Sequence, residues 1–294
     1  MKGTMKLMNK CAVVKHIQAR NLVPILIAGL AAAAYLALFG TDLKYTLPRH
    51  EMVRNHIFGR ELPDRTPVTD EAVLAAMRRV PRHEFVPADA KHLAYDDRPL
   101  QIGHGRTISQ PYIVAFMAEL LKLKPDDRVL EIGAGSGYEA AVLSEIAGKV
   151  YSIALDEAQA VRSARRLDRL NYTRVHIKPD DSHAGWEEHA PYDAVFVRGS
   201  VPEIPPMWKE QLRAGGRMVV PVGLTYAPQD LVLVKKEEDG TCHQRRMMVV
   251  RFTPLSQPSI PEGGPYPGPP LGPLHWGHES EPASVALPND PVIP

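Results

Sequence analysis

Between residues 64 and 255 the chain alternates two hydrophobic periods. In "TDEAVLAAMRRV" the apolar positions Val73, Ala76, Met77 and Val80 share one helical face, and Thr69 holds the capping position. "SQPYIVAFMAELLKL" predicts a second helix, with Ser109 at the N-cap and Pro111 in the first turn. From there the pattern becomes regular. "RVLEI", "KVYSIA", "RVHIK" and "YDAVFV" read as short buried strands, and helices are expected over 138–147 and over "DEAQAVRSARRLDRL". "IPPMWKEQLRAGG" predicts a helix closed by glycines. The strands "RMVVPV" and "DLVLVKK" follow, then an "EEDG" turn into "TCHQRRMMVVRF". Strands alternating with helices imply a doubly wound α/β domain: a mostly parallel sheet covered on both faces, with a C-terminal antiparallel hairpin. Such a sheet binds its ligand at the carboxyl ends of the strands.

The flanks break this pattern. Residues 22–40, "LVPILIAGLAAAAYLALFG", carry no charge, follow a basic stretch over 1–21, and as a helix would extend about 28 Å. They predict a single N-terminal membrane anchor, with a signal sequence or a buried helix as alternatives. The basic excess before them would place the main domain across the membrane from the cytoplasm. Residues 41–68 read as a linker and 69–255 as the catalytic-sized domain with an N-terminal helical segment. Residues 256–294 hold 11 of the 28 prolines and read as a disordered tail, with Tyr266 and Trp276 as possible docking points for a protein partner.

Composition removes several functions. The net charge of +1 offers no field for nucleic acid. Two cysteines, Cys11 and Cys242, form neither a metal-ligand spacing nor a disulfide framework. The twelve histidines are scattered and no Ser-His-Asp set is visible, so neither a metal site nor a hydrolase is expected.

"EIGAGSGY", residues 131–138, carries the candidate chemistry. Gly133, Gly135 and Gly137 let backbone amides and a helix N-terminus approach a ligand where side chains would block it. Their G-x-G-x-G spacing is not that of dinucleotide folds, and no Lys-Ser/Thr follows as in a phosphate-cradling loop. Glu131 would repel a pyrophosphate and oppose a cation. S-adenosylmethionine, cationic and without phosphate, suits that combination. A plain strand-to-helix turn is the structural alternative.

"VPRHEFVP", "AYDDRPLQIGHGRTISQPYIVAFM", "RVLEIGAGSGYEAAVL", "LRAGGRMVVPVG" and "VRFTPL" together resemble protein-L-isoaspartate O-methyltransferase over about residues 69–255. The resemblance implies a Rossmann-like class I S-adenosylmethionine methyltransferase. Its substrates would be isoaspartyl-containing proteins or peptides, methylated on the free carboxylate so that the ester collapses to a succinimide and repair follows. It implies Ser109 as the active-site serine and Thr107 and Ile108 as pocket residues. Glu131, Gly133, Gly135, Gly137 and Asp181 would hold the cofactor, with Asp181 near the adenine amino group. Three departures stand out. Ala154 occupies the place of the acid that grips the ribose, with Asp156 two residues on as a possible substitute or a helix cap. Arg198 replaces a small residue after the fourth strand, and Arg106 replaces a glutamine. Arg198 and Arg106 would hold the peptide carboxylate, or the cation at the strand end would repel a sulfonium; a solvated loop arginine is the plain alternative. A binding protein on a methyltransferase scaffold is the alternative function. The cytoplasmic supply of S-adenosylmethionine favours the opposite membrane face to the one the charge bias selects.

Overall fold

The structure is a computed structural model that describes residues 44–58, 65–103, 105–224 and 227–255. Seven strands form the central sheet: β3 (Arg128–Ala134), β4 (Lys149–Ala154), β5 (Val175–Pro179), β6 (Tyr192–Val197), β7 (Leu212–Val222), β8 (Gln229–Lys236) and β9 (Cys242–Val250). Their order is β5-β4-β3-β6-β7-β8-β9, with β3 to β7 parallel and β8 and β9 antiparallel. The chain starts mid-sheet at β3, winds outward to β5, then returns to place β6 on the other side of β3. That reversal opens a crevice at the carboxyl end of β3, flanked by the ends of β4 and β6. A separate two-stranded ribbon, β1 (Leu100–Gly103) with β2 (Arg106–Ile108), precedes the sheet; the strand periodicity of so short a pair did not predict it.

Both faces are buried over the inner parallel strands β3, β4 and β6, which is why these read as continuous apolar runs. Val129, Val150, Ala194 and Phe196 face one core with α1 (Glu71–Arg79), α2 (Pro111–Leu121) and α3 (Tyr138–Ser144). Leu130, Ile132, Ile153, Val195 and Val197 face the other with Trp208 of α5 (Pro206–Glu210). Between them in sequence, α4 (Glu157–Arg169) packs Leu167 into the first core. The glycines expected to close α5 lie inside β7 instead, because α5 ends at Glu210 and the chain turns straight into the strand.

Helix starts differ from the sequence expectation. Asp70, not Thr69, caps α1, accepting from the amides of Ala72 and Val73 at 3.0 and 3.3 Å. Gln110, not Ser109, occupies the N-cap of α2, ahead of Pro111. Residues 44–52 are helical and continue into a wider turn over Val53–Ile57. Met52, Val53 and Ile57 enter the first core, so this stretch of the expected linker is packed structure.

The membrane localisation through a single N-terminal anchor is corrected here. Among the described residues no helix is long and apolar enough to cross a membrane, and residues 22–40 lie outside them. Residues 256–294, read as a tail, also lie outside the described residues. The last described segment returns to the crevice: Ser200 N–H donates to Thr253 O and Leu255 N–H to Ser200 O, each at 3.0 Å, and Leu255 is buried in the second core. At the far edge of the sheet, β9 exposes His243, Gln244, Arg245 and Arg246 in succession.

Candidate active site

The glycine loop lies at the crevice. Gly133 and Gly137 adopt φ of 89° and 88°, backbone that only glycine takes without strain. The first slips the register of β3 against β4, and the second starts α3. Gly135 serves a different purpose: a Cβ there would overlap the guanidinium of Arg198, which lies against the loop. A Cβ on Gly133 would meet Leu255 Cδ1 at 2.6 Å.

Two fully buried carboxylates flank the loop. Glu131, on β3, accepts a hydrogen bond from Ser152 Oγ at Oε2, while Oε1 has no partner among the described residues. Burial, reinforced by the nearby charge of Glu139, pushes its pKa up to about 7. Glu139, on α3, gathers three donors on Oε1: Ser109 Oγ at 2.8 Å, Ser109 N–H at 3.3 Å and Arg198 Nε at 3.0 Å. Its Oε2 has no partner among the described residues. Burial raises its pKa, but the Arg198 charge and the Ser109 bond outweigh this and hold the carboxyl below its ordinary value.

Arg198 follows β6, donates from Nη1 to Gly133 O at 3.1 Å and from Nη2 to Thr107 O, and its side chain is only 9% exposed. Arg106 is also turned inward. It pairs through Nη2 with Asp156 Oδ2 at 2.9 Å and donates from Nη1 to Gln159 Oε1. Burial lowers the Arg106 pKa and the Asp156 charge opposes that. Neither arginine is oriented as a free clamp for a substrate carboxylate, because each already has acceptors of its own chain.

Asp156 caps α4 by accepting from Gln159 N–H at 2.7 Å. Ala154 ends β4 buried with Ala134 and Ala160, so that position itself supplies no carboxylate. From α4, Gln159 Nε2 and Ser163 Oγ both donate to Gly135 O, at 2.9 and 2.8 Å, pinning the loop from below. Asp181 caps the turn Ser182–Ala184 and its side chain is 67% exposed, open to a ligand and bonded to His183 N–H.

Ser109 stands between β2 and α2. Ile108 beside it is fully buried in the first core, while Thr107 is half-buried. The turn is anchored by two residues that the pattern analysis did not single out. Arg82 is fully buried and donates to Ser109 O at 2.7 Å and Ala94 O at 2.8 Å, with its guanidinium over the Tyr138 ring at 4.8 Å. Asp97 accepts from Tyr112 N–H at 3.0 Å and Gln110 Nε2 at 2.9 Å. Glu139 was missed as well: one acid in a helix's first turn reads as dipole compensation. Among the described residues no group of three His, Cys, Asp or Glu side chains is placed to hold a metal ion.

The residues fit the cationic end of S-adenosylmethionine, since each buried carboxylate beside the loop keeps one oxygen without a partner among the described residues. They offer no acid at position 154 for the ribose. A doubly wound sheet whose switch point carries an acid-led glycine loop without a phosphate-binding lysine defines a class I S-adenosylmethionine methyltransferase.

The family model for protein-L-isoaspartate(D-aspartate) O-methyltransferase matches residues 53–259. The protein-L-isoaspartate O-methyltransferase of Opitutus terrae is 48% identical over 236 residues, covering 80% of this chain and 96% of that one. A second such enzyme from Polaromonas is 51% identical over 190 residues, covering 65% and 90%. Among solved structures, a protein-L-isoaspartate O-methyltransferase superposes with a TM-score of 0.60 at 31% identity, over 68% of this chain and 63% of that chain. A putative one from Plasmodium falciparum, in complex with S-adenosyl-L-homocysteine, shares the fold with a TM-score of 0.58 at 22% identity, over 72% of this chain and 97% of that chain. This chain belongs to the protein-L-isoaspartate O-methyltransferase family. It is a repair methyltransferase whose cofactor is S-adenosylmethionine, and the reading as a binding protein on a lapsed scaffold is set aside.

Proposed function

We propose that Ser109 is the residue that meets the isoaspartyl carboxylate, at the crevice between β2, the glycine loop and the end of β6. One observation carries this reading. The Ser109 hydroxyl and amide converge on a single carboxylate oxygen, that of Glu139, so the turn is built to donate to a carboxylate, and the substrate's takes the hydroxyl bond in exchange for Glu139. The substrate carboxylate is itself a competent nucleophile, and the protein's task is alignment rather than proton removal. When bound, S-adenosylmethionine supplies an activated methyl group on a sulfonium. Glu131 and Glu139 oppose that charge, and Gly133, Gly135 and Gly137 keep the approach free of side chains. Asp181 is open to the adenine amino group. Thr107 borders the carboxylate pocket, and Arg82 holds Ser109 in register through its carbonyl.

The test is methyl transfer by the full chain from labelled S-adenosylmethionine to an isoaspartyl peptide and to its aspartyl isomer. Base-labile methyl ester on the isoaspartyl peptide alone is expected; equal labelling of both isomers, or none, would overturn the reading. Ser109→Ala should lower kcat about tenfold, the worth of one hydrogen bond to a charged group, with cofactor affinity within a factor of two or so. A wild-type rate would remove Ser109 from the site.

A further inference from the structure

We propose that Arg198 is an internal stand-in for the cationic end of the cofactor, and that S-adenosylmethionine binds by displacing its guanidinium from the glycine loop. The inference rests on the cofactor reading above and concerns a residue that the family resemblance does not explain.

Three observations support it. The first is placement. Gly135 lacks a side chain where a ligand would come closest to the backbone, and the Arg198 guanidinium fills that space. The second is chemistry. Arg198 donates to Gly133 O in the loop, Thr107 O on β2 and Glu139 Oε1 on α3, two backbone acceptors and one carboxylate around the crevice. These are acceptors suited to an ammonium or sulfonium ligand, and a guanidinium satisfies them with its fork of N–H groups. The third is the acceptor surplus. Glu131 Oε1 and Glu139 Oε2 stay buried and without a partner among the described residues even with Arg198 in place. One guanidinium therefore does not exhaust the negative side of the site, and a cationic ligand has unmet acceptors to gain.

A loop occupied by its own chain binds ligand with an affinity reduced by the fraction of molecules in which the occupant has left. Removing the occupant removes that reduction. Two other roles give different results. A fixed strut would leave cofactor affinity unchanged or weaker when deleted. A clamp for the peptide would alter the peptide KM and leave cofactor affinity alone.

The experiment is calorimetric titration of the full chain and of its Arg198→Ala variant with S-adenosylmethionine, S-adenosylhomocysteine and adenosine. Arg198→Ala should bind both amine-bearing ligands about tenfold tighter, ~1.4 kcal/mol. Adenosine, which lacks the cationic end, should bind both proteins equally. Unchanged or weaker binding of the first two ligands overturns the proposal, as does an equal gain for adenosine, which would mean that the cleft had merely widened. Absence of S-adenosylmethionine binding to either folded protein would overturn the cofactor reading and this proposal together. Because Arg198→Ala strips Glu139 of its cation, Glu139→Gln and the double variant Arg198→Ala with Glu139→Gln form a second pair. Melting curves establish folding in all four proteins. The gain from deleting Arg198 should recur in that pair, and its absence there would overturn the proposal.

Discussion

Glu131 and Glu139 lie either side of one loop, both fully buried, and burial raises the pKa of each; the Arg198 cation bonded to Glu139 is what separates them. The consequence for Glu131 has a definite sign. Its ordinary value of 4.5 rises to about 7 in the folded protein, so the native state holds a proton that the unfolded chain gives up. Stability from this group is fully present below about pH 4.5 and is lost as the pH climbs through about 7. Glu131→Gln should flatten that descent, read as the difference in urea midpoints between pH 5 and pH 8; parallel pH profiles for the two proteins would refute the assignment. At this scale the sequence was partly legible. Ala154 and the glycine spacing could be read directly, because strand ends and loops are local. The inward turn of Arg106 and Arg198 could not, because Asp156 lies 50 residues from the first and Glu139 lies 59 from the second.

The start of α1 shows how tertiary contacts complete what local capping leaves open. The amides of Thr69 and Asp70 both donate to Glu119 Oε1, at 2.7 and 2.8 Å, so a residue near the end of α2 holds the entry to α1. Glu119→Ala should destabilise the fold by about 2 kcal/mol through two orphaned amides, measured by urea denaturation. A loss as small as an exposed N-cap substitution would show that Asp70 alone carries the start. The pattern read α1 from its apolar face but chose the wrong cap, since Thr69 and Asp70 are both good capping residues and nothing local distinguishes them. The strands over 128–154 were legible because burial on both faces leaves a continuous apolar signature. The helix over 44–52 was not, because Met52, Val53 and Ile57 cluster beside His50, Glu51 and Arg54 without a sustained period.

For the whole molecule, winding order puts every element of the crevice in one place: the loop after β3, Ala154 at the end of β4, Arg198 after β6, and Leu255 returning beneath them. Leu255 packs against both Gly133 and Gly199, so the final described turn of the chain supports the floor of the glycine loop. Leu255→Ala should cost about 3 kcal/mol. It should also weaken S-adenosylmethionine binding in molecules that remain folded. Stability lost with cofactor affinity unchanged would separate the floor from the site. The switch point follows from alternation of strands and helices, so the location of the crevice was foreseeable. That the chain's last described residues complete it was not, since no pattern links residue 255 to residue 133.

The β9 edge has a consequence for how the protein behaves in a tube. Nine residues of strand that are unpaired on one side among the described residues are a template for intermolecular pairing, and here Arg245 and Arg246 present like charge to a second copy, with Asp230 offsetting part of the Arg246 charge through an ion pair at 2.8 Å. With a net charge of only +1, the molecule has little global repulsion to back them up. Salt shortens the reach of those charges from about 10 Å at 0.1 M to about 3 Å at 1 M. Concentrated stocks should therefore scatter more light as salt rises, and a buffer chosen to keep the protein clear should be a dilute one.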